Sequence, residues 1–225
     1  MSKPNFKQVL DALKRQVLNG KSYLRIANGL AQADPVILQT APTFFYMTID
    51  GSLELAQIAA ARLYDRTKGA VTVIAMLCDA ASKADTFQNG DRMQVDKALL
   101  KSVQRVIAIQ PFVDAIRRRR NKWLAHLDAE TVRDPVALVA KAKLTAPDLE
   151  RVLGETEAIV LDLSNLYEGV FGELSYIGAD DYETALAEFL FITLNKCALG
   201  PSNPIAGTWT GPRPNDCSRQ PYDLI

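Results

Sequence analysis

Between residues 93 and 127 the apolar side chains recur at Val95, Leu99, Val103, Val106, Ile109, Val113, Ile116, Trp123 and Leu127. A spacing close to 3.5 residues, sustained over about ten turns, fits one long helix and no strand. A rod of that kind must bury its seam against other helices. The spacing also assigns position 120 to the seam, and the residue there is Arg120. A guanidinium stands where the pattern asks for an apolar side chain.

The rest of the chain keeps the helical period. Phe6, Val9, Leu10, Leu13 and Val17 line one face of a first helix. NGKS (19–22) punctuates it, and a second helix is expected from Ser22 to about Ala33. Asp34-Pro35 opens a new start. A long helix is expected from near Thr43 to Arg66, strained around Gly51. GAVTVIAMLCDAASKA (69–84) is apolar almost all round and reads as a central helix, with Cys78 packed as a small hydrophobe. DTFQNGD (85–91) is a loop. Thr145 and Asp148 form a capping signature ahead of Leu149, Val152, Leu153, Ile159, Val160 and Leu163. DDYETALAEFLFITLNKCAL (180–199) reads as a last helix, with Asp180 and Asp181 at its acidic start. The final 26 residues hold five prolines and little periodicity. The expected fold is all-α: a bundle of five to seven helices over residues 1–199, with an irregular Pro/Gly-rich tail over residues 200–225.

Composition narrows the function classes. Lysine plus arginine and aspartate plus glutamate balance at 26 each, which opposes a surface coated in positive charge but permits a local basic site. Three cysteines without C-x-x-C spacing and a single histidine disfavour a zinc site and suit a reducing compartment. The opening MSKPNFKQVLDALKRQ lacks the apolar core of a signal peptide, and no apolar run reaches the roughly 18 residues of a membrane span. A cytoplasmic protein without membrane contact is expected. Phosphate-binding, dinucleotide-binding, metalloprotease and nucleophile-elbow motifs do not occur.

The chemistry concentrates in RRRRNKWLAHLD (117–128), which holds the sole histidine, His126. Histidine exchanges a proton near neutral pH. Arginines hold phosphate through forked, charge-assisted hydrogen bonds. Asn121 both donates and accepts. Such a set suits metal-free RNA cleavage, in which a base helps the ribose 2′-hydroxyl attack the adjacent phosphorus and cations stabilise the transition state. On a straight helix, however, Arg120 and His126 lie about 120° apart. Convergence needs a bend or a second copy across a dimer. The other reading is a solvated helix end whose arginines pair with acids.

R-N-x-x-x-x-H at Arg120, Asn121 and His126 resembles the signature of the HEPN superfamily. Arg120, Lys122, Ala125, His126 and Asp128 further resemble the R-x-K-x-x-A-H-x-D of its AbiU-type abortive-infection branch. ARLYDRT (61–67) is similar to an upstream Arg-Leu-x-Asp motif of that branch, and LTAPDLERVL (144–153) to its following helix. The resemblance implies a HEPN-like helical bundle, a homodimer with a shared cleft, and a metal-independent endoribonuclease of phage-defence or toxin–antitoxin type, with no cofactor. It gives His126 the acid/base role, Arg120 the phosphate clamp and Asn121 a positioning role. Arg117, Arg119 and Lys122 become RNA contacts, and Asp128 an orienting group. RNA and an antitoxin are the expected partners. Because fold does not dictate activity, a noncatalytic module binding RNA, a nucleotide or a protein is the alternative.

Overall fold

The computed structural model describes residues 4–121 and 144–169. Over these residues the chain forms six α-helices: α1 (Phe6–Ala31), α2 (Pro35–Leu38), α3 (Pro42–Leu63), α4 (Val73–Ser82), α5 (Arg92–Arg119) and α6 (Ala146–Glu168). One 3₁₀ turn spans Ala84–Thr86, and no strand occurs among the described residues. The expected helix over 180–199 and the tail lie outside them.

α1 runs unbroken through Asn19-Gly20, where a break was expected. The reason is that the apolar period does not stop there. Phe6, Leu10, Leu13, Val17, Gly20, Leu24, Ala27 and Leu30 are all buried on one face. Gly20 belongs to that seam. A methyl group built on it would stand 2.8 Å from Leu153 Cδ2 of α6 and 3.3 Å from Ala59 Cβ of α3. The glycine therefore lets three helices cross closely, against a helix-propensity cost of about 1 kcal/mol. Asn5 and Gln8 cap the start reciprocally.

α3 spans most of the expected range but ends at Leu63 rather than Arg66. Gly51 sits inside it with open space where a Cβ would stand and with no left-handed backbone, so the expected strain is absent. α3 stops because Tyr64 turns inward. Tyr64 is buried, and its hydroxyl lies 2.6 Å from that of Thr156 in α6. The Thr156 hydroxyl already donates to the carbonyl of Val152 at 2.7 Å, so Tyr64 donates to Thr156. Burial, the largest influence, pushes the phenol pKa up to about 12.

α4 is shorter and less central than expected. Thr72 caps it by accepting from the Ala75 N–H, and only Val73, Met76, Leu77 and Ala80 are buried within it. Ile74 is 47% exposed, and Cys78 faces solvent instead of packing inside. α5 buries Val95, Val106, Ile109, Val113 and Ile116 as its seam requires. One seam position differs: Ser102 is fully buried while Val103 is 44% exposed. The helix satisfies that serine by letting its hydroxyl donate to the Ala98 carbonyl. Pro111 lies within α5 on its exposed side, so the backbone bond it cannot make falls where water can replace it. The capping box of Thr145 and Asp148 opens α6, whose predicted apolar face is buried throughout.

The core gathers α1, α3, α5 and α6 around Leu10, Leu63, Ile109, Leu153 and Ile159, with α4 against one side. Phe6, Phe87 and Tyr167 close one end, with ring centroids 4.9–5.4 Å apart. In urea unfolding, Thr156→Val should cost more than Tyr64→Phe. The first strands a buried phenolic donor at about 1–3 kcal/mol, whereas the second leaves Thr156 bonded to Val152. The double variant should be no less stable than Thr156→Val alone.

Candidate functional site

Arg120 and Asn121 lie in one π-type turn at the C-terminal end of α5. Such turns recur at functional sites because they aim side chains where a regular helix does not. Arg120 itself keeps right-handed helical backbone, with its N–H bonded to the Ile116 and Arg117 carbonyls. His126, Lys122 and Asp128 lie outside the described residues.

Arg120 fulfils the seam position in an unexpected way. The pattern pointed to burial in an interface, whereas within one chain its guanidinium turns to the end of α3. Nη1 donates to Asp65 Oδ2 at 3.1 Å, and Nε donates to Asn121 Oδ1 at 3.0 Å. The Arg120 and Asp65 side chains are 26% and 25% exposed. Two separate sequence motifs, ARLYDRT and RRRRN, therefore meet in space. Asp65 is itself fixed: Oδ1 accepts from the Thr67 N–H at 3.0 Å and from the Thr67 hydroxyl at 2.9 Å. These bonds to Thr67 first, and Arg120 second, lower its pKa to about 2.

The other arginines diverge, since successive helical residues turn by about 100°. Arg117 lies 3.7 Å from Asp114, which Arg66 also approaches at 4.0 Å. Arg118 Nε donates to the Asp114 carbonyl. Arg117, Arg118 and Asn121 line one shallow surface depression with Asp114. Arg119 instead faces a separate cavity of about 290 Å³ between α3, α5 and α6, beside Asp50, Glu54 and Gln57. Of the expected RNA contacts, then, Arg117 shares a surface with Asn121 and Arg119 does not. The pairing of Arg120 and Arg117 with acids matches the second reading of the run, that of a charge-compensated helix end. Among the described residues the run therefore contains a compensated cluster that includes Arg120 and Asn121.

Asp65 is the residue that sequence reasoning did not assign. Its signal was present in ARLYDRT, but a pair separated by 55 positions leaves no periodic trace. Among the described residues, no group of three or more His, Cys, Asp or Glu side chains is arranged to hold a metal ion, and no helix is long and apolar enough to cross a membrane.

Residues 3–185 match the HEPN family model described as AbiU2. That span takes in all six helices and the whole of RRRRNKWLAHLD. No curated protein and no solved structure matches the chain.

The Asp65 pKa fixes a sign for acid stability. A carboxyl depressed in the folded state stabilises fully above its unfolded value near 3.8 and stops doing so as pH falls toward about 2. Glu168, lowered to about 2 by the Lys14 and Lys7 ammonium groups, acts in the same window. The urea midpoint of the wild type should drop between about pH 5 and about pH 2. Asp65→Asn should make that drop shallower.

Proposed function

We propose, from the premise that the chain belongs to the AbiU2 family of HEPN domains, that it is a metal-independent endoribonuclease acting in phage defence by abortive infection. The observation that carries this reading is the turn at Arg120-Asn121. The two described members of the motif are hydrogen-bonded to each other, and the guanidinium is held at a fixed site instead of trailing in solvent.

In this reading His126 removes the proton from a ribose 2′-hydroxyl, whose oxygen attacks the adjacent phosphorus. The bond from phosphorus to the 5′-oxygen of the next nucleotide breaks, and that oxygen takes up a proton. The products are a 2′,3′-cyclic phosphate and a 5′-hydroxyl. Arg120 clamps the non-bridging oxygens as their charge grows, and Asn121 keeps the clamp oriented. Arg117 and Lys122 follow the RNA backbone, and Asp128 orients His126. Arg119, aimed into its own cavity, contacts RNA only if the strand reaches that side of α5. The chain works in the cytoplasm, with an antitoxin as the partner that would restrain it.

The enzyme acts as a homodimer. Supporting this, Met93, Leu100, Val103 and Ile107 form an exposed apolar row along α5, from 44% to 73% exposed. Residues 93, 100 and 107 are one heptad apart, the spacing at which two helices pair. The row lies roughly 140° around the helix from Arg120. Pairing through it leaves each Arg120 on its own Asp65.

Induced expression should arrest cell growth and fragment total RNA in the wild type, and do neither with His126→Ala or Arg120→Ala. In purified protein each substitution should cost orders of magnitude in cleavage, because such groups act as a unit. A wild type that arrests nothing and cuts no RNA would sink the ribonuclease and favour the noncatalytic binding module. Sedimentation should give a dimer mass for the wild type and a monomer mass for Leu100→Glu/Ile107→Glu, without loss of helix content.

A further inference from the structure

Arg120 has five N–H donors. Nε is used on Asn121 and one on Nη1 is used on Asp65. The second N–H of Nη1 and both on Nη2 meet no acceptor among the described residues. Among the described residues the guanidinium is therefore bonded along part of its rim only, and its side chain is 26% exposed. Its restraint on the α3 side is itself anchored. Asp65 spends one carboxylate oxygen on Thr67 and the other on Arg120, so both of its oxygens are engaged. The residue before it, Tyr64, is buried and bonded to Thr156 in the core. The acid is tied to the scaffold at both ends, and the long arginine side chain comes to it.

We infer that Asp65 is the positioning residue for the phosphate clamp: it holds Arg120 by Nη1 so that the guanidinium presents Nη2 to an RNA phosphate. This rests on the ribonuclease reading above and adds to it a residue 55 positions from the motif. A bidentate clamp needs its plane fixed as well as its charge present. A free arginine at the end of a helix would supply charge without direction, and misplacement by about 1 Å can cost about 100-fold in rate. Thr67 and Arg120 both favour the charged form of Asp65.

Two other roles are open to an acid placed there, and they differ in what they do to binding. An inhibitory acid would compete with phosphate for Arg120. A purely structural acid would hold the end of α3 and nothing more. Asn is the informative replacement, since its carbonyl oxygen can still accept from Thr67 while the negative charge is lost.

The test uses the full-length chain as wild type, Asp65→Asn, Asp65→Glu, Arg120→Ala and the double Asp65→Asn/Arg120→Ala. Single-turnover cleavage of end-labelled total cellular RNA gives the rate. Anisotropy of a short fluorescent mixed-sequence RNA gives the Kd, and a melting curve reports folding. Asp65→Asn should cleave about 10- to 100-fold more slowly. Its RNA binding should be unchanged or slightly tighter, because one negative charge beside the phosphate path is gone. Asp65→Glu should recover part of the rate. The double variant should be no slower than Arg120→Ala, since a positioning residue has nothing left to position. Asp65→Asn cleaving as fast as wild type or faster overturns the inference in favour of no role or an inhibitory one. Rate, binding and melting temperature all falling together overturn it in favour of a structural one. Both outcomes leave the ribonuclease standing, whereas a wild type that cuts no RNA removes the enzyme and this inference with it.

Discussion

The hydrogen bond from Tyr64 to Thr156 settles where α3 stops, and much of the rest depends on that. A phenol buried at 5% exposure needs an acceptor, and the chain gives it Thr156 by turning inward after Leu63. That turn leaves Asp65 at the surface end of α3, with Thr67 close enough to fix its carboxylate. A fixed carboxylate in turn gives the end of α5 something to bind. Core packing, helix termination and side-chain electrostatics form one sequence of causes, from a hydroxyl inside the bundle to a guanidinium at its edge.

The bundle owes its closeness to α1. This helix lies against both α3 and α6, and at Gly20 it meets them through the Ala59 methyl and the Leu153 methyls. At the far end, Lys7 and Lys14 of α1 share Glu168, the last residue of α6, with Ser164 donating to the same carboxylate. α1 is therefore locked to α6 by a steric fit at its middle and by charge near its start.

Features governed by a repeating period were legible in the sequence. The α5 seam, the apolar face of α6, the Asp34-Pro35 start and the capping box of Thr145 and Asp148 all follow from local spacing. Features governed by a partner elsewhere in the chain were not. Gly20 reads as a break until Leu153 is known to lie against it. Val103 fits the seam as well as Ser102 does, and only the helix's rotation against its neighbours puts the serine inside. Cys78 sits in an apolar string that looks buried, although α4 touches the bundle along one face only. In the candidate site, Arg120 and Asn121 were singled out by motif resemblance, and the departure of Arg120 from the seam pattern marked it independently. Asp65 stood in a quoted motif without a role, because opposite charges on separate helices attract without leaving any periodicity.

The four consecutive arginines also change meaning once their surroundings are known. As letters they are interchangeable. In space Arg117 answers to Asp114, Arg118 to a carbonyl of its own helix, Arg119 to a cavity and Arg120 to Asp65. Each further residue advances the helix by about 100°, so the run works as a register as much as a charge. Deleting any one of the four would leave three arginines and slide Asn121 into the place that faces Asp65. The count of the run is therefore part of its content, and a frame of four identical residues encodes four distinct addresses.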